Sequence, residues 1–397
     1  MWMDDGLNPI IFKDMKQSIY FLLTFTSFIL NAQQQYFPQS TASWETISYQ
    51  EAGLDADKMD DVVAFAKANE YKGSRDLRIA ILDGFKKEPF HEILGPTKKR
   101  GGPAGMILKN GKIVKAWGDV NRVDMTFSVT KSFLSTVAGI ALDKGLIASE
   151  NDTVANYVWD GTFAGKQNSQ ITWSQLLQQN SAWQGELYGV KDWADRPPRD
   201  GDVDDWQYAQ PHKPGTVMEY NDVRVNVLAY SLLQVHRKPL PVVLKENIMD
   251  PIGASITWRW KGYDNAWETV DGLQMKSVTG GGHSGAGMFI NTTDMARFGL
   301  LFINNGNWNG KQLISREFID RALTPSTPNP NYGYMWWLNN ADGSRHWNGV
   351  GENVFYAAGF GGNFIIVDRE HDLVIVTRWL EPSKVEEFMQ LITAAID

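Results

Sequence analysis

The sequence predicts an α/β fold of the α+β type: an antiparallel sheet flanked by helices and built from both chain ends, plus an all-helical sub-domain. Three observations carry that expectation. Residues 104–108 and 113–117 are apolar runs on either side of Lys109-Asn110-Gly111-Lys112, and Asn-Gly between two such runs is a strong hairpin signal. Near the other end, 355–358, 363–367 and 373–377 are again short and apolar, with Asp368-Arg369-Glu370-His371-Asp372 turning the chain between the last two. Between about 126 and 280, polar and Pro-rich loops separate segments of helical spacing, such as 172–179 and 223–235. Strands at both ends with helices between them imply one mixed layer assembled from the two termini.

Taken in order, residues 1–14 are acidic (Asp4, Asp5, Asp14) and are expected to be a non-native upstream extension. Residues 15–32 follow the plan of a secretory signal: Met15 as start, Lys16, an apolar run from Ile19 to Leu30, and Ala32 before the cleavage point. The run is short for a bilayer span. The expected product is exported, periplasmic or extracellular, with no stable membrane span after signal cleavage. Residues 33–45 are expected to be a linker and 46–397 one continuous domain, free of internal repeats. Residues 53–71 have helical spacing behind Asp55 as N-cap. The last helix is expected from Ser383, with Glu386 completing a capping box.

Composition narrows the chemistry. With 397 residues, 43% of them hydrophobic, the chain can bury a large core. A formal net charge of -8 gives it no counterion-release term on a phosphate backbone, so nucleic acid is not an expected partner. Having no cysteine excludes disulfides, thiolate catalysis and Cys-ligated zinc. The six histidines form no H-E-x-x-H pattern and no close pair on one helical face, which disfavours metal catalysis. No metal site is expected, and the motifs below imply no cofactor. Of the 16 tryptophans most should be core, while Trp183, Trp193, Trp206, Trp336 and Trp337 flank the motifs below and are candidates to line a cleft.

Phe127-Ser128-Val129-Thr130-Lys131 opens an amphipathic helix running to about Lys144, with Gly145 as its stop. Val129, Phe133, Val137, Ile140 and Ala141 recur at helical spacing and bury one side. A serine in the first turn gains from unpaired N–H groups and the positive end of the helix dipole, which favour a developing oxyanion. Lys131, three residues on, shares its face, and a desolvated lysine can act as a neutral base. A Ser-x-x-Lys match arises by chance about once in a chain this long, so the pair counts only with its partners.

Those partners carry a resemblance. Thr126-Phe127-Ser128-Val129-Thr130-Lys131 is followed by Ile171-Thr172-Trp173-Ser174-Gln175-Leu176-Leu177. Then come Pro214-Gly215-Thr216 with Tyr220-Asn221-Asp222, and finally Gly359-Phe360-Gly361-Gly362. In this order they resemble the serine β-lactamase and penicillin-binding-protein superfamily, nearest its class C-like esterase and amidase branch, over roughly residues 45–397. The resemblance implies Ser128 as nucleophile, Lys131 as its base and Tyr220 as the proton shuttle. It also implies the backbone N–H groups of Ser128 and Phe360, beside Gly359, as oxyanion hole. The substrate would be a small molecule or short peptide with an ester or amide bond. Two departures matter. Asp222 stands where the family's Y-x-N element ends in Asn, replacing an amide by an acceptor-only group. Ala357-Ala358-Gly359 stands where penicillin-recognising members carry a cation before the glycine, which disfavours a carboxylate-ended substrate. Arg224 and Arg345 are candidate replacement cations.

Other readings compete. A β-lactamase or D-alanyl carboxypeptidase of the same fold is one; a non-catalytic sensor or binding module, its proton path broken at Asp222, is another. Gly282-His283-Ser284-Gly285-Ala286 approximates the nucleophile elbow of an α/β-hydrolase, with Asp342, His346, Asp368 and His371 downstream. The poor strand character of 274–280 argues instead for a Gly-rich loop or strand edge leading to a helix near 293–303. Residues 200–205 are acid-rich but lack the glycine and distal glutamate of an EF-hand, so an acidic surface loop is expected.

Overall fold

The computed structural model describes residues 35–39, 44–197 and 201–396. The signal segment and the upstream extension lie outside the described residues, and of the 33–45 linker residues 35–39, 44 and 45 are described. Among the described residues, no helix is long and apolar enough to cross a membrane.

The elements that frame the site are these. Helix α1 is Ala56–Ala68, β1 Ala104–Lys109, β2 Lys112–Trp117, α2 Thr130–Asp143 and α3 Asp222–His236. Then follow α4 Thr292–Ile303, β3 Trp337–Leu338, β4 Val354–Gly359, β5 Asn363–Asp368, β6 Leu373–Arg378 and α5 Val385–Ala394. The main sheet runs β3-β4-β5-β6-β1-β2, antiparallel throughout, so β6 from the C-terminal part pairs with β1 from the N-terminal part. The β1–β2 hairpin turns at Asn110 and Gly111, both with positive φ (50° and 77°). That is the backbone an Asn-Gly pair tolerates and a right-twisted hairpin needs.

Strands β1, β4, β5 and β6 are buried on both faces, which is why they read as apolar runs, whereas the edge strand β2 is partly exposed. Along β6, Leu373 and Ile375 pack with Met59, Val62 and Phe388 of α1 and α5. Val374 and Val376 face the opposite way, onto Phe298 and Leu301 of α4. The second face is continuous with α2 and α3, whose Phe133, Val137, Val225 and Leu228 belong to the same core. Segment 126–280 is therefore packed onto the sheet. It is mainly helical and also contains hairpins at Glu186–Leu187/Val190–Lys191 and Trp267–Val270/Leu273–Lys276.

Two local expectations fail, the capping box at Ser383 and the acidic surface loop near 202, while others hold. Asp55 caps α1, accepting from Lys58 N at 3.1 Å, and Thr172 with Gln175 forms a capping box on Trp173–Leu177. The capping box expected at Ser383 does not form: α5 starts at Val385 after a 3-10 turn with no side-chain cap. Glu386 instead accepts from the Asn348 backbone N–H at 3.0 Å. The acidic run near 202 is a helix start, Asp202 accepting from the N–H groups of Asp204 and Asp205, which uses the carboxylate locally.

Candidate active site

Ser128 sits where the short strand Asp124–Met125 meets a 3-10 turn, Phe127–Val129, that runs into α2. Phe127 has φ 50°, a left-handed conformation costing roughly 1–2 kcal/mol for a non-glycine residue. Its ring is buried against Phe360 (5.1 Å between centroids) and Trp379 (6.4 Å), and that packing holds the kink. Two hydrogen bonds clamp the turn to the strand Gly287–Ile290: Thr126 N to Met288 O at 2.9 Å, and Met288 N to Thr130 Oγ1 at 3.0 Å.

Lys131 follows one turn later, and only 1% of it is exposed. Its Nζ lies 2.9 Å from Ser128 Oγ and 4.7 Å from the centre of the Tyr220 ring, and it also bonds Asp222 Oδ1. Tyr220 and Asp222 arrive together because Asn221 caps α3: its side chain accepts from Arg224 N at 2.9 Å and donates to Asp192 O at 2.7 Å. The Tyr220 ring stacks on Trp337 at 5.7 Å. The serine, lysine and tyrosine named from the sequence thus share one place.

Gly359 ends β4 against the serine turn. A Cβ there would lie 2.1 Å from Thr126 O and 3.3 Å from Ser128 N, so only glycine lets the strand end approach so closely. Gly359→Ala is expected to slow acylation of Ser128 by on the order of 10²-fold, as when one oxyanion donor is displaced, measured as the rate of active-site labelling. Retained rates would mean that this approach has no part in the chemistry.

Asp222 departs most from expectation. The acceptor-only group is used in full: besides Lys131, it accepts from Arg196 Nη2 at 2.8 Å and faces His283 Nδ1 at 3.3 Å. Burial pushes its carboxyl up, but Arg196, Lys131 and His283 outweigh this and hold it well below the usual range. His283 in turn contacts Glu88 and lies 3.2 Å from Asp195. Burial pulls the imidazole down, yet Asp195, Asp222 and Glu88 lift it to about 9 against the opposing charge of Arg196. Burial and the neighbouring His283 lower His91 to about 4. Glu88, His91 and His283, or Asp195, Asp222 and His283, stand close enough together for a cation. With Lys131 and Arg196 beside them, they read as an ion-pair network.

The two pKa shifts carry opposite pH signs. The depressed Asp222 carboxyl adds stability above the unfolded value of about 3.9, lost as pH falls through its folded value. The raised His283 adds stability below about 6.5, lost as pH rises toward 9. Urea midpoints are expected to fall on both sides of neutrality, and His283→Gln to flatten the alkaline slope while weakening the acid slope only in part, since Arg196 and Lys131 still depress Asp222. An alkaline slope unchanged in that variant would discount the ion pairs.

This cluster of Glu88, the Asp195-Arg196 pair and His283 was not anticipated, since its members come from three segments far apart in sequence. The available signal was the glycine run before His283: a Cβ on Gly281 would lie 2.3 Å from Asp222 Oδ1 and 2.7 Å from Lys131 Nζ. The elbow reading does not hold, because Ser284 leads into the strand Gly287–Ile290 and not directly into a helix. Its proposed partners lie elsewhere: His371 bonds Asp368 at 2.7 Å, whereas Ser284 Oγ has His91 at 3.5 Å. Of the candidate cations, Arg224 is buried between Asp192 and Glu219. Arg345 lines the cleft in front of Ser128, 4.2 Å above the Trp337 ring. That cleft, about 640 Å³, is walled by Trp337, Trp347, Tyr356, Phe360 and Phe364. Trp336 and Trp183 are core, and Trp193 and Trp206 line an adjoining hollow that shares Arg196 and Tyr220 with the cleft.

Comparison with known proteins bears on the family and the fold. A putative D-alanyl-D-alanine carboxypeptidase of Escherichia coli O157:H7 is 22% identical over 343 residues, 68% of this chain and 76% of that protein. An uncharacterized protein of Alkalihalophilus pseudofirmus is 25% identical over 99 residues, so the match spans only 29% of its length and 22% of this chain. A family VIII carboxylesterase structure superposes with TM-score 0.56 at 19% identity, covering 86% of this chain and 99% of that one. The profile of the Beta-lactamase family matches residues 89–379. That span, well over half the chain, holds both the serine turn and the strand end facing it, and the chain belongs to the Beta-lactamase family.

Proposed function

We propose that this protein is a serine hydrolase that cleaves an ester or amide of a small molecule or short peptide through an acyl-enzyme on Ser128. The observation that carries the reading is the buried Lys131 amine 2.9 Å from Ser128 Oγ, at the start of a helix and the floor of a cleft. Ser128 Oγ attacks the carbonyl carbon while its proton passes to Lys131 in the free-amine form. The N–H groups of Ser128 and Phe360 take the oxyanion. Tyr220 then relays the proton to the leaving alcohol or amine as the carbonyl–leaving-group bond breaks. Water attacks the acyl-enzyme by the reverse path, releasing the acid and restoring the serine.

Substrate preference follows from the walls. Ala357-Ala358-Gly359 brings no cation to the strand end, and the aromatic lining suits an uncharged ester or amide. A panel of p-nitrophenyl esters, nitrocefin and D-alanyl peptides, with fluorophosphonate labelling mapped by mass spectrometry, tests this. Ester turnover with the label on Ser128 is expected. Efficient nitrocefin or D-alanyl peptide cleavage would instead favour the β-lactamase or carboxypeptidase alternative, with Arg345 as carboxylate anchor. The Lys131–Asp222 ion pair favours one further reading, a sensor that acylates and stalls. A single stoichiometric burst with p-nitrophenyl acetate, without a steady state, would select it. We also place the working protein outside the cytoplasm, on the pattern of residues 15–32, and expect N-terminal sequencing of exported material to begin after Ala32.

A further inference from the structure

We propose that His283 is a positioning residue of the Ser128 site: its imidazolium cancels the charge that three buried carboxylates leave beside Lys131, loosening the grip of Asp222 on the Lys131 proton. The inference rests on the Ser128 reading above. The Asp222 carboxylate is divided, Oδ1 to Lys131 and Oδ2 to Arg196 and toward His283 Nδ1 at 3.3 Å. The opposite edge of the imidazole, Nε2, meets Glu88 and lies 3.2 Å from Asp195. Glu88, Asp195 and Asp222 against Lys131 and Arg196 leave one unbalanced negative charge. The side chains of His283, Asp195 and Asp222 are only 6%, 1% and 4% exposed, where an unbalanced charge is costly. A protonated imidazole removes the imbalance, with its Nε2 edge bonded to Glu88 and its Nδ1 edge facing the Asp222 carboxylate at 3.3 Å without a hydrogen bond.

The other groups facing His283 add no charge. His91, 5.1 Å away between ring centroids, is held neutral, burial and the nearby Asp222 and Asp195 raise the Tyr263 phenol further above its ordinary value, and the Phe85 ring covers one face at 3.9 Å. The loop carrying His283 is seated directly on the Lys131–Asp222 pair, since even a Cβ on Gly281 would collide with both. With the imidazolium present, three cations share Asp222. Without it, the excess negative charge falls on Lys131 and Ser128 is activated only at higher pH.

The test is the rate of Ser128 phosphonylation by a fluorophosphonate as a function of pH, on the full chain. His283→Gln is expected to slow labelling about 10-fold at pH 7.5 and to move the rising limb up by about one pH unit, the size of shift one nearby charge produces. The Glu88→Gln/His283→Gln double variant removes one charge of each sign and is expected to return the limb close to wild type. A role in packing alone predicts a double variant no faster than the single one. An unmoved limb in His283→Gln, or a double variant as slow as the single, overturns the proposal. So does one equivalent of zinc in the isolated protein whose chelation slows labelling, since a metal and not a proton would then carry the charge. Wild type that never labels at Ser128 defeats the serine reading itself; normal labelling with an unmoved limb defeats only the role of His283.

Discussion

Replacing Ser128 by alanine is expected to lower hydrolysis by at least ~10⁴-fold, as loss of a nucleophile does when nothing else can form the covalent intermediate. Fluorophosphonate labelling is expected to vanish with it. Folding is expected to stay within about 0.5 kcal/mol of wild type, because the hydroxyl is half-buried and its partner Lys131 keeps Asp222. Turnover and urea denaturation, measured side by side, separate the two effects. Ser284→Ala is the matching control: it is expected to label normally, because its hydroxyl has His91 at 3.5 Å and no lysine base. Turnover within tenfold of wild type in Ser128→Ala would move the nucleophile elsewhere.

Lys131→Ala is expected to slow acylation by about 10²–10⁴-fold, the usual contribution of a positioned base, and to leave the residual rate nearly flat with pH. It is also expected to cost stability, though less than the ~3–5 kcal/mol typical of orphaning a buried charge. Asp222 retains Arg196 at 2.8 Å and His283 at 3.3 Å after the lysine is gone. The pH–rate profile of labelling, with urea midpoints from the same preparations, checks both. A variant that keeps the wild-type pH limb would show that the proton leaves Ser128 by another route.

The inner sheet strands were legible because they are buried on both faces, so Leu373–Arg378 and Asn363–Asp368 read as continuous apolar runs without need of their neighbours. Asn110-Gly111 was legible because the turn needs positive φ at two successive positions. The C-terminal cap was misread because the carboxylate of Glu386 found a donor at Asn348, 38 residues away, that no local pattern encodes. The Ser128–Lys131 pairing was legible for the same local reason as the helix: three residues is one turn, and one turn fixes the face.

By itself, then, the sequence determined those features that depend on neighbours along the chain: two-sided strands, capped helices, a serine and a lysine one turn apart, and a tyrosine just before a helix start. Only the tertiary structure decided the electrostatics around them. Glu88, the Asp195-Arg196 pair, Asp222 and His283 come from four separate segments and meet around the buried Asp195 and Asp222 carboxylates. Charge interactions there depend on through-space distance and desolvation, neither of which is written in sequence spacing.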